Sequence, residues 1–401
     1  MLELYLFHEL NQDKIICSLL NFQESGSMED YFAAASGLLE FSQKRAVTDK
    51  TISEYVLQTM LHSKRLLNLS GLENYLTYDV DKICKNLLLY DWDGLCKKYG
   101  VLPISNITPQ KDIDTGLSSF IRSLRDLVNL KNVSDITTAL ITHCEKFGTG
   151  KTSAYAALRW ANGKLEGIRN TDTITFAELT GLEYQKQTLI DNTEAFVSGK
   201  PANNVLLAGD SGTGKSSSVK ACLNMFKDKG LRLIEVGKEE LADLPLILEQ
   251  VKNRNLKYII FVDDLSFESS DVSYKQLKSA LDGQVEQHPD NVLIYATSNR
   301  RHLIKETWSE REGADGDDIH RSDTLNEKRS LSERFGINLF FLSPDQEGYL
   351  AIVSSMLKAE GIEMNEDIRR QALAWAVSYH GRSGRTAKQF ASDYLGRMGS
   401  F

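Results

Sequence analysis

The sequence predicts an α/β fold in which helices cover a parallel sheet, with a helical region before the sheet and a small helical domain after it. Three observations support this prediction. Before about residue 165, apolar side chains recur at three- and four-residue steps, the spacing of amphipathic helices. From Thr173 onward, short apolar runs alternate with helical stretches, as is typical of a parallel sheet covered on both faces. Near the carboxyl terminus, residues 345–360, 366–380 and 384–398 carry the apolar stripes of three helices.

These patterns predict the domain organisation. A chain of 401 residues is long enough for two or three domains. We expect a helical N-terminal domain over residues 1–165, an α/β domain over residues 173–343 and a helical lid domain over residues 344–401. The strand candidates of the α/β domain are residues 205–208, 231–236, 257–262, 292–296 and 337–342.

The composition is that of an ordinary globular protein, with 41% hydrophobic and 25% charged residues. A formal net charge of −8 argues against a strongly basic nucleic-acid platform, although it leaves room for a local basic face. The five cysteines are scattered without metal-ligand spacing, and no stretch approaches about 18 uncharged apolar residues. The start of the sequence also lacks a signal-peptide pattern. We therefore predict a cytoplasmic protein without a membrane span.

A glycine-rich loop follows the first strand candidate of the α/β domain. It matches G-x-x-x-x-G-K-[ST] at every fixed position, and a helical stretch follows it. Glycines let backbone N–H groups converge on a phosphate, and the helix N-terminus adds the positive end of its dipole. We predict that Lys215 contacts the β- and γ-phosphates of a nucleoside triphosphate and that Ser216 is a ligand of Mg²⁺. The predicted nucleotide-binding residues of the loop are Gly209, Asp210, Ser211, Gly212, Thr213, Gly214, Lys215, Ser216 and Ser217.

A second glycine-rich segment, residues 147–152, resembles only the end of such a loop. The first required glycine is replaced by Glu145, whose carboxylate would repel phosphate. The residues before it have helical spacing, whereas a phosphate-binding loop follows a strand. We therefore expect residues 147–152 to form a flexible connector and not a nucleotide site.

Acidic and amide side chains follow two later strand candidates. Asp263 and Asp264 end one buried run, and Asn299 follows the next. Because ligands of parallel sheets bind at the carboxyl ends of the strands, these residues are expected near the loop. Asp263 is predicted to hold Mg²⁺ directly or through water, and Asp264 to orient or deprotonate the attacking water, a role that Glu268 could also fill. Asn299 either hydrogen-bonds the water or the γ-phosphate, or caps the end of the strand.

In this order, the motifs resemble those of the AAA+ ATPases over residues 173 to 398. GDSGTGKS is similar to Walker A, IIFVDD to Walker B and YATSN to the strand that bears sensor 1. LSERFG is similar to the segment with the arginine finger, and GRSGRTA to the start of a lid helix with a sensor 2 arginine. The resemblance implies that Arg334 is the finger and that Arg385 contacts the nucleotide. More narrowly, the chain resembles a bacterial family of predicted AAA+ ATPases whose biological role is unassigned.

Each of these arginines also has a structural alternative. Arg334 could pair with Glu333 or pack near Phe335, and Arg385 could cap the lid helix or pair with an acid. An arginine finger reaches the γ-phosphate of a neighbouring subunit and accelerates its hydrolysis. The finger assignment therefore predicts a homo-oligomer.

Two features depart from the family pattern. The second Walker B acid is Asp264, whereas most hydrolytic relatives carry Glu, and this difference bears on the rate of hydrolysis. Residues 306–330 form an unusually polar segment between sensor 1 and the finger, and its glycines and acids predict a mobile loop.

The combined prediction is an AAA+ ATPase that binds ATP and Mg²⁺ between the α/β domain and the lid. Hydrolysis would drive a conformational change on an unidentified protein or nucleic-acid partner. One alternative is a nucleotide-gated binding or loader protein with little turnover, which Asp264 favours. Another is a nucleic-acid-dependent ATPase, which the Asn299-Arg300-Arg301-His302 cluster supports slightly and the acidic net charge disfavours.

Overall fold

The computed structural model describes residues 1–45, 50–67, 71–105, 118–150, 152–252, 254–265, 277, 281, 289–299, 334–379 and 381–398. The chain divides into two compact units. The first unit comprises Met1–Ala156 with Asn253–Leu256, and the second comprises Ala157–Lys252 with Lys257–Phe401. Among the described helices, none is both long enough and apolar enough to cross a membrane.

The first unit is built from helices, as the apolar spacing predicts. They are α1 (Lys14–Ser25), α2 (Met28–Arg45), α3 (Thr51–Leu61), α4 (Glu73–Ile83), α5 (Trp92–Tyr99), α6 (Ser118–Asn129) and α7 (Val133–Phe147), and a π-helical turn (Cys84–Leu88) extends α4. Local chemistry sets their ends. Asp13 caps α1 by accepting the N–H groups of Ile15 and Ile16, and Gly26 ends it in the left-handed conformation at φ 70°.

Packed apolar side chains form the core of the first unit, with a buried carboxylate among them. Leu10, Phe22 and Val56 are fully buried there. Asp79 on α4 is fully buried as well. Its carboxylate accepts three backbone N–H groups, from Tyr5 at 2.9 Å, Leu6 at 2.6 Å and Phe7 at 3.1 Å. These bonds fasten the start of the chain to α4 and satisfy the buried charge.

A seven-stranded sheet forms the centre of the second unit. Its strands are β1 (Ala157–Ala161), β2 (Lys164–Ile168), β3 (Val205–Gly209), β4 (Leu231–Glu235), β5 (Lys257–Val262), β6 (Val292–Ser298) and β7 (Ile337–Phe341). The order across the sheet is β2-β1-β4-β5-β6-β3-β7. Only the β1–β2 pair is antiparallel among these seven strands. The predicted α/β fold with a parallel sheet is confirmed.

The hairpin of β1 and β2 is a feature that the sequence analysis missed. Asn162 and Gly163 connect the two strands with φ of 51° and 75°, the positive values of a two-residue type I′ turn. Asn-Gly between strands is a known hairpin signal, so the sequence did contain the information. The helical domain is expected over residues 1–165, but its helices end before β1, which begins at Ala157.

The parallel strands align so that their carboxyl ends share one edge of the sheet. Leu207 of β3 pairs with Thr297 of β6 on one side and with Leu339 of β7 on the other. Val262, the last residue of β5, pairs with Ala296 of β6. Every residue of β3 and β6 is buried, as expected for central strands with both faces covered.

Helices of two groups complete the second unit. The first group packs around the sheet and comprises α8 (Glu183–Val197), α9 (Lys215–Phe226) and α10 (Leu244–Val251), and the second comprises α11 (Gln346–Ala359), α12 (Glu366–Ser378) and α13 (Gly384–Met398). The helices α11, α12 and α13 have a core of their own, which includes Tyr349, Leu357 and Phe390. We call this three-helix group the lid. It matches the three helices predicted near the carboxyl terminus.

Candidate nucleotide site

The loop between β3 and α9 has the backbone conformation that its glycines predict. Gly209, Gly212 and Gly214 have φ of 136°, 73° and 98°, in the region that disfavours other residues. At Gly209 the space also requires glycine, because a Cβ there would clash with the carbonyl oxygen of Phe341 on β7. The helix α9 begins at Lys215, so the loop leads directly into a helix N-terminus.

Lys215 is buried at the base of this loop. Its Nζ donates to the carbonyl oxygen of Gly209 at 2.9 Å and to that of Asp210 at 2.6 Å. Burial lowers the pKa of the Lys215 ammonium from its ordinary value, and neighbouring carboxylates act in the opposite direction. Those carboxylates belong to Asp210, Asp263 and Asp264. The lysine is thus held beside the loop and among acids.

Ser216 and Asp263 meet across the loop. The Ser216 hydroxyl, on the first turn of α9, donates to Asp263 Oδ1 at 2.7 Å. Thr297, near the end of β6, donates to the same carboxylate oxygen at 2.5 Å. Hydroxyl and carboxylate oxygens are metal ligands of the kind that Mg²⁺ prefers, and both groups lie beside the glycine-rich loop. These residues fit a Mg²⁺–nucleotide complex.

Asp264 and Asn299 also lie together at this edge of the sheet. The Asn299 amide donates to Asp264 Oδ1 at 2.7 Å. Asp264 has a φ of 53°, in the left-handed region that is uncommon for residues other than glycine. Its backbone N–H donates to the Thr297 hydroxyl at 2.9 Å. The side chains of Asp263 and Asp264 are both exposed, so solutes can reach them.

The lid touches the phosphate-binding loop at its glycine-rich centre. The backbone N–H of Arg385, in the first turn of α13, donates to the carbonyl oxygen of Gly212 at 3.2 Å. A Cβ on Gly212 would lie 3.0 Å from Ser383 Oγ and 3.1 Å from Arg385 Cβ. Before the lid begins, the backbone N–H of Ser343 donates to Asp210 Oδ2 at 2.9 Å. The loop therefore contacts both the segment just before the lid and the third helix of the lid.

Arg334 lies elsewhere in the second unit. It precedes β7, and Ile337 at the start of β7 pairs with Val205 at the start of β3. Because the strands are parallel, Arg334 lies toward the amino ends of the strands, whereas the phosphate-binding loop follows their carboxyl ends. Gly209 comes four positions after Val205 along the strand, a distance of about 13 Å. The fold does not bring Arg334 to the loop of its own chain.

A buried polar group positions the strand that leads into the loop. Asn192 on α8 donates to the carbonyl oxygen of Asn203 at 2.9 Å and to Tyr295 Oη on β6 at 3.0 Å. Asn192 Oδ1 accepts the N–H of Asn203 at 2.9 Å. Burial raises the pKa of Tyr295, so its hydroxyl stays neutral and serves as a hydrogen-bond partner. These bonds tie α8 to the start of β3.

Several sequence predictions fall outside the described residues. They concern the acid Glu268, the basic cluster Arg300-Arg301-His302 and the polar segment 306–330. By contrast, residues 148–150 follow the helix α7, which ends at Phe147, and not a strand, as the sequence analysis expects.

Sequence reasoning missed two residues that the fold brings to the site. Thr297 contacts both acids, and Ser343 contacts Asp210. Thr297 lies within the predicted sensor strand, so its place in the motif was a usable signal. Ser343 contributes only its backbone N–H, which no pattern of residue types would reveal.

The parallel sheet, the glycine-rich loop at its carboxyl edge and the helix that follows the loop have the arrangement of a P-loop α/β fold, and the three-helix lid comes after it in the chain. The chain belongs to the family described as "Protein of unknown function (DUF815)", which matches residues 153–398, more than half of the chain. No curated protein matches the chain significantly.

Solved structures with a similar fold include AAA+ proteins of several kinds. The Aeropyrum pernix Orc1 protein in complex with DNA is 15% identical, with a TM-score of 0.41 over 56% of this chain and 62% of that one. The FIGL-1 AAA domain in complex with ADP is 20% identical, with a TM-score of 0.39 over 56% of this chain and 73% of that one. The Thermotoga maritima RuvB Holliday junction branch migration motor is 15% identical, with a TM-score of 0.33 over 54% of this chain and 71% of that one. The chain spans less than two thirds of the Orc1 chain, and identities this low concern the fold alone.

Proposed function

We propose that this protein binds ATP with Mg²⁺ at the loop between β3 and α9 and hydrolyses it. The observation that carries the proposal is the 2.7 Å contact between Ser216 Oγ and Asp263 Oδ1. The two residues are 47 positions apart in the sequence, yet they meet beside a complete phosphate-binding loop. A chance match to the loop pattern would not require an acid at that place.

Binding would use the loop as a cradle for the phosphates. The backbone N–H groups of residues 209–217 and the dipole of α9 would face the phosphate oxygens. Lys215 would turn from its carbonyl partners toward the β- and γ-phosphates, and Arg385 would approach from the lid. Ser216 and Asp263 would hold Mg²⁺, directly or through water. Bound Mg²⁺ supplies charge neutralisation at the phosphates.

Hydrolysis would proceed by in-line attack of water on the γ-phosphorus. A bond forms between the water oxygen and phosphorus, the bond to the bridging oxygen of ADP breaks, and ADP and phosphate result. Asp264 would orient the water and accept its proton, and the Asn299 amide would hydrogen-bond the water or the γ-phosphate. The loss of phosphate would then alter the contact between the loop and the lid.

The position of Arg334 supports a shared site. Because Arg334 lies toward the opposite ends of the strands from its own loop, its use as a finger requires a second copy of the chain. We therefore propose a homo-oligomer in which Arg334 of one subunit completes the site of another. The partner on which the ATPase acts stays unidentified, and the cytoplasmic location stays a prediction.

One observation favours a second candidate function, a nucleotide-gated binding protein with little turnover. Asp264 is shorter by one methylene than glutamate, and its Oδ1 accepts the Asn299 amide at 2.7 Å. The carboxylate oxygen that accepts this bond is less available to orient an attacking water. In that case nucleotide binding, and not its hydrolysis, would move the lid.

The decisive experiment mixes two inactive variants. Arg334→Ala keeps an intact loop but lacks the finger, whereas Lys215→Ala lacks a working loop but supplies the finger. If the site is shared, the equimolar mixture regains a substantial part of wild-type ATP turnover. Arg369→Ala is the control, because Arg369 lies on the lid helix α12, pairs with Glu347 and has no proposed role.

Each outcome separates the candidates. Tight ATP binding by wild type, with turnover no faster than that of Lys215→Ala, supports the gated binding protein and contradicts the ATPase. Full activity of Arg334→Ala alone contradicts the finger and leaves the ATPase in place. The absence of ATP binding by wild type contradicts both functions.

A further inference from the structure

We propose that Thr297 is the positioning residue that sets the geometry of both acids, Asp263 and Asp264. This inference rests on the proposed nucleotide site and assigns a role within it to a residue that the proposal above does not use. Thr297 is the sixth residue of the seven-residue strand β6, and it is 2% exposed. Its neighbour Ala296 pairs with Val262, so Thr297 lies beside the point where β5 ends.

One threonine holds three consecutive residues beyond β5. Its hydroxyl donates to Asp263 Oδ1 at 2.5 Å and accepts the N–H of Asp264 at 2.9 Å. Its backbone carbonyl accepts the N–H of Leu265 at 2.6 Å. A hydroxyl has one hydrogen and two lone pairs, so it can make both side-chain bonds at once. Valine has the same shape and can make neither.

The backbone of Asp264 shows why such support is needed. A residue other than glycine with a φ of 53° is strained unless its surroundings hold it there. The bond from its N–H to the Thr297 hydroxyl is one restraint, and the buried Leu265 that follows is another. The conformation of Asp264 decides where its carboxylate points, so Thr297 controls the direction of the proposed base.

The two hydroxyls on Asp263 Oδ1 differ in their surroundings. The bond from Ser216 lies at an exposed place and that from Thr297 is partly buried. Ser216 can therefore turn toward a metal ion while Thr297 keeps the carboxylate in place. This division predicts that the Thr297 hydroxyl matters for Mg²⁺-dependent binding and for turnover, and little for binding without Mg²⁺.

The test compares full-length wild type with Thr297→Val, which removes the hydroxyl, and Thr297→Ser, which keeps it. The readouts are affinity for a fluorescent ATP analogue in EDTA and in Mg²⁺, kcat and KM for ATP, and amide exchange of the peptide that contains Asp264 and Leu265. Thr297→Ala provides a second variant without the hydroxyl if Thr297→Val does not fold.

We expect Thr297→Val to bind the analogue normally in EDTA. The factor by which Mg²⁺ increases the affinity should fall about tenfold, and kcat should also fall about tenfold, because loss of a partner that orients a metal ligand has effects of this size. KM should change little, exchange of the peptide should accelerate, and Thr297→Ser should restore wild-type behaviour. The inference is overturned if Thr297→Val matches wild type in Mg²⁺ enhancement and exchange, or if Thr297→Ser is equally defective.

The failure of this inference is distinguishable from the failure of the proposed function. If wild type binds the analogue and Thr297→Val behaves identically, only the role of Thr297 is wrong. If wild type binds but does not turn over, the Mg²⁺ enhancement and the amide exchange still decide the role of Thr297. If wild type binds no nucleotide in either condition, the proposed function is wrong and this inference falls with it.

Discussion

Two carboxylates, Asp79 in the first unit and Asp263 in the second, show how the two regions use acidic side chains differently. Asp79 is fully buried and accepts three backbone N–H groups. Asp263 is exposed and accepts two hydroxyl groups. Backbone donors cannot leave their acceptor unless the segment unfolds, whereas a hydroxyl turns by rotation about one bond. The partners of a carboxylate thus distinguish an acid that holds the fold from an acid that can take a ligand.

Two buried basic side chains, Lys215 of the second unit and His143 of the first, differ in the charges that lie beside them. Burial lowers the pKa of both Lys215 and His143. Three carboxylates oppose this effect at Lys215, as described above. At His143 the neighbouring charge is Lys146, which lowers the pKa further. Carboxylates thus partly offset the effect of burial on the pKa of Lys215, whereas a like charge reinforces it at His143, which stays neutral at neutral pH.

The largest effect is expected from Asp79→Ala. Three N–H groups would lose their acceptor, and two of them, those of Leu6 and Phe7, are buried. At roughly 1–3 kcal/mol for each buried unsatisfied group, the first unit would lose about 2–6 kcal/mol of stability. Amide exchange of the peptide that contains Tyr5, Leu6 and Phe7 measures the change. Asp81→Ala is the matched control on the same helix, because Asp81 pairs only with Lys85 in its described contacts and such a surface pair contributes less than about 1 kcal/mol. Equal effects of the two variants would contradict the structural role of Asp79.

Lys215→Ala should have the next largest effect, and it should change function without unfolding the first unit. Loss of a positioned cation at a phosphoryl-transfer site should lower ATP turnover at least about 100-fold, or about 2.7 kcal/mol. Lys220→Ala is the control, since Lys220 lies on the same helix α9 and pairs with Asp172 at 3.7 Å. Steady-state turnover measures both, and retained activity in Lys215→Ala would remove the loop from the mechanism.

Acidification should weaken the first unit through His143. Burial lowers its pKa to about 4, below the value of about 6.5 expected in the unfolded chain. Its contribution to stability is therefore complete above pH 6.5 and is lost as the pH falls toward 4. By pH 5 the loss should reach about 2 kcal/mol.

The matched variant for this pH experiment is His143→Gln. Glutamine does not titrate, and it keeps a polar group near Ser123, whose hydroxyl lies 2.8 Å from His143 Nδ1. Denaturant unfolding of both proteins at pH 7.5 and pH 5 gives the difference in free energy. If wild type loses no more stability on acidification than the variant, His143 binds a proton as readily in the folded state as in the unfolded chain. The predicted lowering of its pKa is then wrong.

Asp263→Asn should have the smallest effect on stability and a selective effect on binding. Because Asp263 is exposed, we expect its free energy of unfolding to change by less than about 1 kcal/mol. The Mg²⁺ enhancement of ATP affinity should fall about tenfold, or about 1.4 kcal/mol. Thermal unfolding and analogue binding measure the two effects. A large loss of stability without a change in Mg²⁺ dependence would make Asp263 resemble Asp79 and erase the contrast between the regions.

Prediction from sequence succeeded where the signal is local. The loop 209–216 carries its glycines, lysine and serine within eight residues, and the apolar runs mark β3 to β7 without knowledge of their neighbours. The hairpin of β1 and β2 was missed although Asn162-Gly163 is a local signal, because the preceding helical spacing dominated the interpretation of that region. The lid helices were anticipated from their apolar stripes.

The sequence by itself determined the glycine-rich loop, the helical first unit and the parallel class of the sheet, since each depends on neighbouring residues and their periodicity. The tertiary structure alone decided that Thr297 meets Asp263 and Asp264, that Arg385 meets Gly212 and that Arg334 lies away from its own loop. These relations depend on strand order and register, which join residues tens of positions apart. Spacing along the chain does not reveal these relations, because strand order and register decide which distant residues become neighbours.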